Sequence, residues 1–215
     1  MPFHVISPIK LLSSGPHSWQ VRRWRPIHLS QGCLDGACGP YSVVMTLLIL
    51  GLLRWDEATS YGFWFDPDQA KGKFWSRLAR QPGLLRDGSD LKELEKLLRS
   101  SFGPLLATSE LAPSEELIPF TVANLRQQCP VIIGVRYSGG AHWLVIVGYE
   151  EDEQGNVTKL LALDSSSTKP QLTAGNAFID IAAPAKGKQY KFTWANAAGE
   201  FPVKLEDSLT ICKAR

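Results

Sequence analysis

Cysteine is sparse in this chain: four among 215 residues, at positions 33, 38, 129 and 212, with no Cys-x-x-Cys spacing. That is too few for a fold held by a disulfide framework. Charge imbalance is missing too, since 23 Lys and Arg oppose 21 Asp and Glu for a formal net charge of +2. Such balance gives no support to a dedicated nucleic-acid binder, so no nucleic-acid partner is expected. Long apolar runs are absent. The longest, Tyr41 to Leu53, is thirteen residues broken by Thr46 and Gly51, and a bilayer span needs ~20. It reads as a buried core helix, and no membrane span is expected. The start, Met1-Pro2-Phe3-His4-Val5-Ile6, lacks the basic region, apolar run and small-residue cleavage site of a signal peptide. A soluble protein is expected, cytoplasmic or exported by a route without a cleaved leader. There is no internal repeat and no low-complexity tract.

What is present is ordinary globular usage, 44% apolar and 20% charged, with seven Trp, five Tyr and nine Phe. The length suits one domain spanning 1–215, divided into an irregular N-terminal arm (1–27), a mainly helical lobe (28–130) and an antiparallel sheet lobe (131–215). Residues 1–30 show little periodicity and allow at most one short strand. Arg22-Arg23-Trp24-Arg25 there is either a solvated segment or a contact for an acidic partner, with nothing nearby in sequence to extend it. Residues 40–53 form the strongest helix, opened by Pro40 and apolar all round, hence central. A short helix is expected near Gln69–Arg80. Another spans 89–102, where Asp90 and Glu93 make a capping box and Gly103-Pro104 stops it. A third covers about Phe120 to Gln128, bounded by Pro119 and Pro130.

The period then changes to that of strands: Val131–Tyr137, His142–Tyr149 and Val157–Leu163, with Ser138-Gly139-Gly140 as a turn. Residues 165–188 read as loop, and Tyr190–Trp194, Pro202–Leu205 and Leu209–Lys213 as closing strands. Helices first and an antiparallel meander second imply an α+β fold.

Three features carry chemistry. Cys38, in Cys38-Gly39-Pro40, stands where a loop enters the central helix. A helix start offers partial positive charge and unpaired N–H groups, which favour a thiolate and can bind an oxyanion. The plain alternative is a small buried residue in a tight turn. His142 opens a strand beside a glycine turn, where a base can reach both nucleophile and substrate. Asp164 closes the next strand, as an orienting acid or as a turn-starting residue before three serines. If the hairpin turns at Glu153, positions 142 and 164 are equidistant from it and become cross-strand partners, with Cβ atoms about 4.5–5.5 Å apart. Such an acid fixes the imidazole tautomer.

Other readings stay open. The same triad serves acyl transfer, transglutamination or glutamine deamidation. A zinc site could use His28, Cys33 and Cys38, at intervals of five, although structural sites space paired cysteines more tightly and a fourth ligand is not evident. A non-enzymatic interaction module would keep the fold and lose the chemistry. Cys129 and Cys212 read as packing residues, and Cys33 could form a regulatory disulfide with Cys38. The aromatic segment Trp55–Trp75 either lines the cleft or packs over the core.

Gln31…Cys38-Gly39-Pro40 before an apolar helix, then Gln128-Cys-Pro130-Val-Ile-Ile-Gly-Val, then Gly140-Ala-His142-Trp-Leu-Val-Ile-Val-Gly148-Tyr149, then Leu163-Asp164, resembles the papain-like cysteine peptidases. The likeness covers about residues 28–165 and is nearest to the bacterial type that processes double-glycine leader peptides and its stand-alone or effector-like relatives. It implies a papain-like fold, with the nucleophile on a central helix packed against an antiparallel sheet. It further implies Cys38 as nucleophile, His142 as base, Asp164 as orienting residue and Gln31 as oxyanion donor. Two departures stand out: six residues separate Gln31 from Cys38, one more than is usual in the family, and no proline follows Asp164. No cofactor or metal is implied. The expected partner is a peptide or protein substrate, with an inhibitor or immunity protein left open.

Overall fold

The computed structural model describes residues 2–32, 36–60, 64–80, 88–111, 115–182 and 189–214. The first long helix, α1 (Cys38–Ile49), buries every residue except Tyr41. An apolar helix with no polar stripe has to be surrounded, and α1 is. Leu47 and Leu48 are fully buried, and truncating either to Ala should cost ~2–5 kcal/mol. The helix ends four residues earlier than its apolar run suggests. Gly51 takes φ +66°, its N–H bonds to Leu48 O, and the N–H of Leu52 bonds to Leu47 O. This is a glycine-closed helix end, which apolar residues beyond it cannot override.

Two further helices, α2 (Trp55–Thr59) and α3 (Ala70–Arg80), follow. The next, α4 (Leu91–Phe102), starts on the expected box: Glu93 N–H donates to Asp90 Oδ1 at 2.8 Å, and Asp90 N–H to Glu93 Oε2 at 2.9 Å. Its buried face is Leu91, Leu94, Leu97, Leu98 and Phe102, and Phe102 meets Phe74 of α3 with ring centroids 5.7 Å apart. The last helix is α5 (Leu117–Arg126).

Eleven strands are assigned among the described residues. Six are antiparallel neighbours in a ring: β6 (Val131–Tyr137), β7 (Gly140–Glu151), β8 (Val157–Leu163), β9 (Ala177–Asp180), β10 (Phe192–Asn196) and β11 (Gly199–Lys213). The pairing of β7 with β8 closes the path. β1 (Phe3–Val5) adds to the far end of β7, and β5 (Leu106–Leu111) to the end of β11. The result is a mixed helix-and-sheet molecule with a large antiparallel sheet. α1 packs against β7, whose Leu144 and Ile146 are fully buried.

The N-terminal arm is not irregular. Besides β1 it holds a three-stranded sheet, β2 (Ile9–Leu12), β3 (Gly15–Gln20) and β4 (Arg23–Pro26). These strands escape the alternation test because partners and not periodicity hold them. Ser18 Oγ and Gln20 Nε2 donate to the carbonyl of Leu48 at 2.6 and 3.4 Å, adding side-chain donors at the helix end beside the Gly51 N–H. The expected loop at 165–188 contains β9, and the two closing segments 202–205 and 209–213 are one long β11. β11 carries an irregularity between Leu205 and Ser208, so its alternation breaks midway and mimics two strands. Cys129 and Cys212 do more than pack: they form a disulfide. No helix among the described residues is long and apolar enough to cross a membrane.

Candidate active site

Cys38 is the first residue of α1 and is 9% exposed. No side chain caps this helix and no acidic residue occupies its first turn, so its positive end is not quenched locally. Pro40 has no N–H to leave unpaired, which suits the first turn. Across from it, β7 delivers His142 and Trp143. The backbone of this strand is held by β6, with Val135 opposite His142 and Gly134 opposite Trp143. Gly134 leaves room for the indole, since a Cβ there would lie a tight 3.2 Å from the Trp143 ring. The indole N–H of Trp143 donates to Ser89 O at 2.8 Å, and Ser42 Oγ of α1 donates to Trp143 O at 3.3 Å. Helix and strand are thereby locked side by side.

The His142 Nε2 meets Asp164 Oδ1 at 2.8 Å, with side chains 7% and 0% exposed. Nε2 is thus occupied, which leaves Nδ1 as the nitrogen that meets the Cys38 thiol, its other hydrogen-bond partner. Burial disfavours the charged imidazole, but the bonds to Asp164 and Cys38 outweigh it and push the His142 pKa up to about 9. Burial likewise disfavours the thiolate. The His142 bond, its charge and backbone hydrogen bonds from Trp143 and Gly39 outweigh that, so Cys38 lies below the ordinary thiol value. Asp164 is held down at about 2 against its own burial, chiefly by His142 and then by Asn196 and Ser166. Opposite shifts of Cys and His favour a thiolate–imidazolium pair over two neutral groups.

Asp164 combines a turn start with the contact to His142. It starts a turn, since Ser166 N–H and Oγ donate to Oδ1 at 2.8 and 2.7 Å, and the same oxygen receives His142. Asn196 Nδ2, from β10, donates to Oδ2 at 2.9 Å. Asn176 holds the backbone of Asp164 on both sides: its Oδ1 accepts from Asp164 N at 2.7 Å and its Nδ2 donates to Asp164 O at 2.8 Å. The buried His28 donates from Nε2 to that same carbonyl at 2.9 Å. The Trp194 ring stacks on His142, with centroids 5.3 Å apart and planes at 19°, and keeps water from one face of the imidazole. Asn176, Trp194 and Asn196 carry no sequence signal of their own. Only a Trp-x-Asn on one strand face hints that two of them point the same way.

Gln31 lines the same cleft of about 840 Å³ as Cys38, Ser89, His142, Trp143 and Asp207. Its backbone N–H donates to Ser165 O at 2.8 Å, and its Oε1 accepts from Ser165 Oγ at 2.8 Å. The carbonyl end of its amide is therefore engaged, and the N–H₂ end is the one with donors to offer. The zinc and regulatory-disulfide readings turn on Cys33, which lies outside the described residues. Among the described residues no group of three or more His, Cys, Asp or Glu is arranged to hold a metal. Of the aromatic segment 55–75, no described residue lines this cleft. Phe74 is fully buried, and Trp75 walls a separate apolar pocket with Pro40 and Val44.

No family model matches the chain, and no curated protein matches it. Solved chains do resemble it. One is the crystal structure of UfSP from C. elegans, at 15% identity and a TM-score of 0.46, over 99% of this chain and 34% of that one. The chain thus spans about a third of that protein's length.

Proposed function

We propose that this protein is a papain-like cysteine peptidase that cleaves peptide bonds through Cys38, His142 and Asp164. The observation that carries the reading is the buried 2.8 Å bond from His142 Nε2 to Asp164 Oδ1, with the other ring nitrogen turned to a thiol at a helix start. In the first step the Cys38 thiolate attacks the carbonyl carbon, forming an S–C bond and an oxyanion. The backbone N–H of Cys38 and the Gln31 amide stabilise that oxyanion, each such donor being worth ~10²–10³ in rate. Protonated His142 gives its proton to the leaving amine as the C–N bond breaks. The neutral imidazole then takes a proton from water, whose oxygen attacks the thioester and releases the acid and the thiol. Asp164 fixes the ring so that Nδ1 faces sulfur throughout. The sequence resemblance to the double-glycine-leader type makes Gly-Gly peptides the first substrates to try.

The test is incubation of the wild type and Cys38→Ala with a proteome, followed by N-terminal profiling. New N-termini made by the wild type alone are expected. Acyl adducts, or mass changes at glutamine side chains without new termini, would instead assign acyl transfer, transglutamination or deamidation to the same triad. Equal profiles from both proteins would sink the catalytic reading.

A further inference from the structure

The N-terminal sheet holds a motif that the catalytic reading does not use. Residues 1–34 contain four of the 23 Lys and Arg and none of the 21 Asp and Glu, so the remainder of the chain is slightly acidic. In the fold these cations gather on β2–β4, and the run Arg22-Arg23-Trp24-Arg25 does not stand alone. Lys10 of β2 sits over the Trp24 ring at 5.3 Å, and Trp24 of β4 pairs with Trp19 of β3. None of Lys10, Arg22, Arg23 and Arg25 makes an ion pair among the described residues.

The hairpin tip is unusual. β3 and β4 are joined by Val21 and Arg22 alone, with φ +44° and +64°. A two-residue turn of this kind favours Asn-Gly, and a β-branched residue at positive φ is strained. Packing does not offset the strain, because Val21 is 65% exposed and Trp19 beside it 55%. In water both the strain and the apolar exposure are unfavourable.

From this we infer that the β3–β4 hairpin docks on an anionic lipid surface. Val21 enters the acyl boundary, the Trp19 ring lies at headgroup depth, and Lys10, Arg22 and Arg23 meet lipid phosphates. A fluid layer needs no recess shaped for the tip. A nucleic acid would use the arginines and the rings but gains nothing from Val21.

Co-sedimentation of the full chain with vesicles tests this. Binding is expected to equimolar phosphatidylcholine and phosphatidylglycerol, not to phosphatidylcholine alone, and to fall with added salt. R22E/R23E should lower the partition roughly thirty-fold or more. V21N should lower it roughly tenfold while leaving Tm unchanged or higher, because Asn tolerates positive φ. That pairing separates loss of docking from loss of fold. Equal binding to both vesicles, no binding to either, or wild-type partition of both variants would overturn the proposal. So would retention of polyglutamate or duplex DNA in place of vesicles, which would assign a different class of partner.

Discussion

His142 and Asp164 meet across a diagonal of the β7–β8 hairpin, Nε2 to Oδ1 at 2.8 Å, and not as directly opposed residues. Val145 lies opposite Leu163 and Ile146 opposite Ala162, which sets Leu144 level with Asp164. The register is two residues away from that of a turn centred on Glu153, because Glu151 lies opposite Val157 and the turn is centred on Gln154, while the irregularities at Ile146/Gly148 and Glu150/Glu151 offset each other. An even shift keeps every side chain on its face, and a diagonal neighbour about 7–8 Å away at Cα remains within reach of a long side chain.

Asp164→Asn keeps the shape and removes the charge. Cys38 should then be alkylated by iodoacetamide at neutral pH at least ~10²-fold more slowly, because the imidazolium that holds the thiolate loses its counter-ion. Peptide-resolved mass spectrometry gives the rate at Cys38 alone. An unchanged rate would remove Asp164 from the machinery.

The pH dependence follows from the signs of the shifts. Cys38 lies below the ordinary thiol value and His142 at about 9, so the ion pair persists between them and turnover should fall above about pH 9 as His142 loses the leaving-group proton. Stability shares that limit. The raised His142 value contributes below the unfolded histidine pKa and is lost as pH rises through about 9, whereas the lowered Asp164 value contributes above the ordinary carboxyl pKa and is lost as pH falls toward about 2. Urea midpoints across pH should decline on both sides, and a midpoint that keeps rising past pH 9 would contradict the His142 assignment.

Asn196→Ala deprives Asp164 Oδ2 of its 2.9 Å donor. A buried carboxylate left short of a partner should cost ~1–3 kcal/mol, read as a lower urea midpoint. If Asn196 also positions the acid, Cys38 alkylation should start at a higher pH than in the wild type, which a loss of packing alone would not cause.

The Cys129–Cys212 disulfide ties the start of β6 to the end of β11 across 83 residues of sequence. Cys129→Ser with Cys212→Ser should lower stability by ~2–4 kcal/mol, mainly by freeing the unfolded chain. Alkylation at Cys38 should not change. Intact mass before and after reduction checks that the bond forms.

Much of the candidate site could be read in the chain because its signals are local. The Asp90/Glu93 box acts over three residues, the apolar run of α1 over consecutive turns, and strands β6, β7 and β8 show themselves by β-branched runs. Cys38, His142 and Asp164 each stand at the end of such an element, so locating the element located the residue. The arm at 1–27 was illegible for the opposite reason, since its strands are held by distant partners, the end of α1 and the far end of β7.

Closure of the six-strand ring is equally non-local. It alone carries Asn196 and Trp194 from β10, and Asn176 just before β9, to a carboxylate in an earlier turn, and it brings two cysteines into bonding range. Periodicity along a strand reports which face a side chain takes. Which strand lies beside it is settled by pairing among segments tens of residues apart, where the free energy belongs to the assembled ring and to no single stretch of chain.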